Sequence, residues 1–235
     1  MRISIIIPTL NESAIIASQV EDIRHKASGS EVEIIVVDAK SPDGTAELAK
    51  AAGAKVLSVN KGCRAKQMNA GAAAATGEVY YFVHADLTLP HGFADDIIAG
   101  VNSGNSYGCY QVCFDKPVKG LKFNSSLSKY QGIFFRGGDQ TLYITKPFFE
   151  KIGGFDDEVV IMEDYEILLR AKKHEKINIM PRKVVISARK MEENNYFKTN
   201  VINVLVFTLF FLGFSQKTLV NIYQGFVKGA KYSIK

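Results

Sequence analysis

The sequence predicts an α/β fold built on a mostly parallel sheet with helices on its faces. Three observations carry this. Strand-like and helix-like segments alternate from the first residues to about residue 100. The strand-like runs are apolar throughout, as in strands buried on both faces. The chain is 235 residues long and 47% hydrophobic, which fits one large domain with an appendage.

The elements follow in order. Arg2–Pro8 reads as a strand. Glu12–Ala27 carries Ile15, Ile16, Val20 and Ile23 at helical spacing, with Asn11 or Ser13 available as a cap. Val32–Asp38 is a second buried strand, and Ser41-Pro42-Asp43-Gly44 is a turn. Thr45 caps a short helix to Ala52, Lys55–Val59 is a third strand, and Ala65–Ala75 is a small-residue helix ended by Gly77. Val79–Val83 is a strand that runs into His84-Ala85-Asp86, and a helix follows from Pro90 to Val101.

The second half is less regular. Ser106–Phe114 reads as a strand, Val118–Gln131 as a helix and Thr141–Thr145 as a short strand. Gly153-Gly154-Phe155 reads as a tight turn. Glu163–Lys173 is a helix with Tyr165, Leu168 and Leu169 on its buried face, which leaves Glu163 and Asp164 off that stripe. Ile177–Met180 and Val184–Ser187 read as short strands. The tail holds the apolar run Val201–Phe214 and then Gln216–Lys228. That run has 14 residues and is too short to span a bilayer alone, which takes about 20.

Composition bounds the class. Residues 1–115 carry 9 Lys and Arg against 13 Asp and Glu, whereas residues 116–235 carry 20 against 11. A basic second half suits an anionic partner. Clustered arginine with interleaved aromatics is missing, which argues against nucleic acid. The three cysteines, Cys63, Cys109 and Cys113, form neither a metal-type cluster nor a disulfide framework, so a reducing, cytoplasmic setting is expected. The N-terminus runs straight into a strand without the pattern of a signal peptide.

Ligands of open α/β sheets bind at the C-terminal ends of the strands. After the first strand stands Pro8-Thr9-Leu10-Asn11-Glu12, not Gly-x-Gly-x-x-Gly, which argues against NAD or FAD. A sugar-phosphate nucleotidyltransferase would also want a Gly-rich basic loop there. Asp38 closes the second strand, as a ligand for a base or ribose edge or as a capping residue. Arg64, with Lys61 and Lys66, precedes or opens a helix N-terminus, a setting that favours phosphate. On an extended strand His84 and Asp86 would point the same way. Glu163 and Asp164 open an amphipathic helix, where the dipole favours their ionised forms.

Taken together, "IIIPTLNE", "VVDAKSPDGT", "GCRAKQMNAGAAAATGEVYYFVHAD", "GGF" and "MEDYE" resemble, in order and spacing, the motifs of family 2 glycosyltransferases. These are nucleotide-sugar-dependent enzymes of the GT-A fold. The tail is similar to that of a small bacterial subgroup with His-Ala-Asp where the family usually has Asp-x-Asp. The resemblance implies a GT-A-like, Rossmann-like domain over residues 1–190, with a nucleotide half (1–115) and an acceptor half (116–190). A helical C-terminal segment, 191–235, follows.

It also implies residue roles. Pro8, Thr9, Asn11, Glu12, Asp38, Arg64, Gln67, Asn69, His84 and Asp86 would line the nucleotide site. Asp86 would hold a divalent cation, Mn²⁺ or Mg²⁺, and a single carboxylate with diphosphate oxygens and water suffices for Mg²⁺. His84 replaces the other acid, as a hydrogen-bond partner of ribose or diphosphate, a metal ligand better suited to Mn²⁺, or a structural histidine. Asp164 would be the general base of an inverting transfer, supported by Glu163. Gly138, Asp139 and Gln140 would contact the sugar or acceptor. UDP is the expected nucleotide, then GDP. A lipid-linked or small hydrophobic acceptor would explain the tail, whose residues 196–228 would pack on the catalytic domain or a second copy, or meet a membrane surface peripherally. A protein of the same fold that binds nucleotide without transfer is the alternative of a different class.

Overall fold

Ile3–Thr9 forms strand β1 in the interior of the sheet, as isoleucines fully buried on both faces require. The computed structural model describes residues 1–27, 29–60, 63–116, 128–133, 136, 140–187 and 196–227. Helix α1 (Ile16–Lys26), β2 (Val32–Asp38), α2 (Thr45–Ala51), β3 (Lys55–Ser58), α3 (Arg64–Ala74) and β4 (Val79–Phe82) follow. Next come β5 (Leu87–Thr88), α4 (Phe93–Asn102), β6 (Tyr107–Phe114), β7 (Leu142–Thr145) and α5 (Lys146–Lys151). The chain continues through α6 (Glu163–Ala171), β8 (Asn178–Ile186), α7 (Tyr196–Phe211) and α8 (Gln216–Phe226).

The eight strands lie in the order β3-β2-β1-β4-β7-β6-β8-β5. β1, β2, β3 and β4 are mutually parallel where they pair. β7 is antiparallel to both β4 and β6, and β6 is parallel to β8. The α/β class, with a mostly parallel sheet between helices, is therefore as the sequence predicts. Ile3, Ile5 and Ile7 face α1 and α4, whereas Ile6, Ile35 and Val37 face α3, α5 and α6.

Several local expectations are corrected. The two short strands read at 177–187 are one strand, β8, whose register shifts opposite Tyr110 and Gln111. That irregularity breaks the apolar run in two. β5 has only two residues and pairs antiparallel with β8, too short to leave a periodic signal. Neither Asn11 nor Ser13 caps α1: its N-cap is Ile15, with no side-chain cap. Thr45 is the first residue of α2 and its N-cap is Gly44, in left-handed conformation at φ 84°. The helix read at Val118–Gln131 lies largely outside the described residues.

α3 crosses β1 at close range. A Cβ added at Gly71 would stand 2.4 Å from Ile6 Cγ2 and 3.1 Å from Val37 Cγ2, both in the packed core. Gly71→Ala is expected to cost about 1–3 kcal/mol by overpacking, measured as a lowered urea midpoint at unchanged slope.

The tail is a helical hairpin. Ile202 and Val206 of α7 and Leu219, Val220 and Tyr223 of α8 bury one shared cluster with Ile161, just ahead of α6. Among the described residues no helix is long and apolar enough to cross a membrane.

Candidate functional site

Thr9 and Asp38 end neighbouring parallel strands and are register partners. Asp38 is 1% exposed. Its Oδ1 accepts from Thr9 Oγ1 at 3.1 Å and from Ser41 Oγ at 2.6 Å, and its Oδ2 accepts from Ser41 N at 2.8 Å. Ser41 Oγ in turn accepts from Asn11 N at 2.8 Å. Thr45 Oγ1 accepts from Glu12 N at 2.9 Å, and Asp43 Oδ2 accepts from Ser13 N at 3.1 Å. The loop after β1 is thus laced to the loop after β2. Asn11 takes φ 57° and Lys40 φ 54°, left-handed values that this lacing holds in place.

Asp43 also accepts from the Thr45 hydroxyl at 2.5 Å. This bond, above all others, keeps its carboxyl far below the usual carboxylate range. A lowered carboxyl stabilises the fold above its unfolded pKa and loses that contribution as pH falls. The loop clamp is therefore at full strength around neutrality and weakens in acid.

α3 supplies three of the expected residues, and they divide. Gln67 is buried, and its Nε2 donates to Thr9 O at 2.9 Å and Val37 O at 2.8 Å. Asn69 donates to Phe155 O and Asp157 Oδ1, both at 2.8 Å, and accepts from Phe155 N at 3.0 Å. These two amides tie α3 to the strand ends and to the turn ahead of α6. Arg64, a third exposed, reaches across to α6. Its Nη1 lies 3.1 Å from Glu163 Oε1 and 3.7 Å from Asp164 Oδ2. Residues some hundred positions apart in the chain thus meet at one point.

α6 starts at Glu163 because Met162 adopts φ 72° as its N-cap. Its buried face is Glu163, Ile167 and Ala171, not Tyr165, Leu168 and Leu169, which are only half-buried. Glu163 therefore lies on the buried stripe, at 3% exposure, and Asp164 beside it is half-exposed. A buried carboxylate needs a partner, and Arg64 is that partner. Glu163, Asp164 and Glu166 all stand in the first turn, where the helix dipole favours negative charge.

The segment before α6 is fixed from the tail. Gln216 Oε1 accepts from both Val160 N and Ile161 N at 3.0 Å, and the rings of Tyr165 and Phe207 meet edge to face at 5.0 Å. Gln216 was not among the residues expected from sequence. A glutamine opening a tail helix carries no local signal for a bond made 55 residues upstream.

His84 and Asp86 are placed differently from expectation. β4 ends at Phe82, and residues 85–86 form a turn, with Leu87 N donating to His84 O at 3.4 Å. The two side chains are therefore not alternate positions on one strand. Asp86 is exposed and His84 half-buried. A cavity of about 200 Å³ opens beside Asp86, lined also by Ser18 and Gln19 of α1, Thr88 and Ser187.

Among the described residues no three His, Cys, Asp or Glu side chains group to hold a metal ion. The exposed Asp86 fits a cation held jointly with a ligand's phosphates and water, not a cage of protein groups alone. Pro8 is half-buried within β1. Gly138 and Asp139 lie outside the described residues. Gln140 accepts at 3.3 Å from Arg136. Arg136 is 3% exposed and donates to Ser128 O, Tyr130 O and Cys109 Sγ.

Comparison with known proteins converges on one group. The sequence profile described as "Glycosyl transferase family 2" matches residues 4–153. Glucosyl-3-phosphoglycerate synthase of Mycobacterium tuberculosis is 34% identical over 126 residues, 50% of this chain and 39% of that protein. The Mycolicibacterium smegmatis protein of the same name is 35% identical over 96 residues, 37% of this chain and 32% of its own. The chain thus spans well under half the length of these relatives. Among solved structures, S. aureus TarS 1–349 in complex with UDP-GlcNAc has a TM-score of 0.67 at 17% identity, covering 96% of this chain and 71% of that one. The mannosyltransferase PcManGT from Pyrobaculum calidifontis, in complex with GDP-Man and Mn²⁺, has a TM-score of 0.64 at 20% identity, covering 87% and 62%.

Proposed function

Because the chain belongs to glycosyl transferase family 2, we propose that it moves a glycosyl group from a nucleotide-diphosphate sugar to an acceptor hydroxyl. The observation that carries this reading is the meeting of Arg64 with Glu163 and Asp164. It sets a phosphate-seeking cation from the nucleotide half beside two carboxylates from the acceptor half.

The roles follow from the chemistry. The laced loops after β1 and β2 form the wall for base and ribose, with Thr9, Asn11, Glu12 and Asp38 in it. Asp38 has its bonds to Thr9 and Ser41 and still has lone pairs for a ligand donor. Arg64 meets the diphosphate, while Gln67 and Asn69 hold α3 where Arg64 can reach. Asp86 would hold a divalent cation shared with the diphosphate, and His84 would contact the ribose or diphosphate. When bound, the cation neutralises charge on the departing diphosphate.

Asp164 accepts the proton of the acceptor hydroxyl as that oxygen bonds to the anomeric carbon. The bond from that carbon to the diphosphate breaks, and the nucleoside diphosphate leaves with its electron pair. Attack opposite the leaving group inverts the anomeric centre. Glu163, neutralised by Arg64, keeps Asp164 in place. Gln140, with Gly138 and Asp139, lines the sugar and acceptor side. The donor is a UDP-sugar or, next, a GDP-sugar; neighbours of the same fold bind UDP-GlcNAc and GDP-Man. A lipid-linked or small hydrophobic acceptor fits the apolar tail.

Thermal unfolding with UDP, GDP, CDP and ADP, each with Mn²⁺, Mg²⁺ or EDTA, tests the donor site. A nucleotide at about 100 times its dissociation constant adds about 2.7 kcal/mol, which should raise the melting temperature by about 5–10 °C. A shift for UDP or GDP that needs the cation, and loses that need in Asp86→Ala, is the expected result. No shift with any nucleotide would overturn the donor site. A shift indifferent to EDTA would remove Asp86 from metal binding.

A further inference from the structure

From Val201 to Phe211, α7 carries apolar residues on every side, with Asn203 and Thr208 its two polar positions. Ile202 and Val206 face the shared cluster of the hairpin. Val201, Val204, Leu205, Phe211 and Leu212 recur on the opposite side at helical spacing and are 40–69% exposed. Phe214, in the turn to α8, is 48% exposed and extends this face to the hairpin tip. Seven of the ten large hydrophobic residues exposed among the described residues lie between 201 and 226. A soluble surface scatters such residues singly; a contiguous stripe marks a contact surface.

Charge selects the partner. Residues 196–235 contain five lysines, Lys198, Lys217, Lys228, Lys231 and Lys235, and no aspartate or glutamate. Pairing with a second copy through this face would set two acid-free, lysine-bearing segments against each other. An anionic lipid surface instead offers apolar depth to the stripe and phosphate to the lysines. The 16 residues of α7 span about 24 Å at 1.5 Å each, short of the roughly 30 Å hydrocarbon core. The helix therefore lies along the interface and does not cross.

We propose that the outer face of the α7–α8 hairpin docks on an anionic phospholipid bilayer, with Val204, Leu205, Phe211, Leu212 and Phe214 buried at the headgroup boundary. The docking does not depend on the glycosyl-transfer reading. It deepens that reading by placing α6, which the hairpin touches through Tyr165–Phe207 and braces just ahead of its start through Gln216, close to the lipid surface.

The test is co-sedimentation of the full chain with vesicles of phosphatidylcholine alone and of phosphatidylcholine mixed with phosphatidylglycerol, at low and high salt. Binding to the mixed vesicles that weakens with salt is expected. The double variant Val204→Asp, Leu212→Asp should bind at least about 10-fold more weakly. Its unfolding temperature, and any shift by nucleotide, should stay as in the parent, which shows that the fold survives. Absence of vesicle binding, or equal binding by the variant, would overturn the proposal. So would a dimer in sedimentation velocity that the double variant dissociates, since the stripe would then be covered by a second copy.

Discussion

Asp164→Asn is expected to lower turnover of the donor–acceptor pair by about 10²–10⁴-fold, the usual worth of a positioned general base. Asparagine keeps the shape of the side chain and a hydrogen-bonding oxygen, but it cannot take a proton near neutrality. The neighbouring ion pair of Arg64 with Glu163, at 3.1 Å, does not involve the changed atom and should persist. Nucleotide affinity, read by titration calorimetry, should therefore change little while turnover collapses. A parallel loss of nucleotide affinity would assign Asp164 to the architecture of the site and not to proton transfer. Full turnover in the variant would remove it from the mechanism.

Arg64→Met is expected to act on both stability and binding. The Glu163 side chain is 4% exposed and Arg64 lies against it. Breaking a buried pair from one side leaves a charge without compensation, at a typical cost of about 3–5 kcal/mol. Arg64 is itself one-third exposed, so solvent reaches the pair and the cost should fall toward the lower end. Methionine fills much of the stem volume, which keeps the packing loss small. Adding Glu163→Gln should return most of the stability, because the orphaned charge is gone. It should not return nucleotide affinity if Arg64 meets the diphosphate. Urea unfolding and calorimetry on the single and double variants separate the two effects. Restoration of both by Glu163→Gln would limit Arg64 to holding α6.

Much of the nucleotide half was legible because its strands are buried on both faces. Ile3–Thr9, Val32–Asp38 and Val79–Phe82 show as apolar runs, and their parallel pairing follows from the helices between them. What escaped was set by partners distant in sequence. β5 exists only because β8 pairs with it, and β8 looked like two strands because its ladder slips opposite Tyr110. Glu163 reads as a surface acid by its spacing, yet it is buried with Arg64 across from it. The turn at residues 85–86 follows a strand shorter than its apolar run suggested. Arg136 is a lone cation between aromatics and glycines in the sequence, yet it is buried and staples Ser128, Tyr130 and Cys109 together. Local spacing reports which face of an element is apolar. It does not report which charge will be covered by a residue a hundred positions away.

The paired bonds from Val160 N and Ile161 N to Gln216 mean that the tail is not a detachable appendage. Trimming the chain ahead of α7 would strip two backbone donors of their acceptor and uncover Ile161, immediately before the left-handed Met162 that launches α6. A shortened chain could keep its nucleotide half intact and still present its acidic helix in the wrong place. In mechanical terms the last two helices are a bracket for the acid-bearing one.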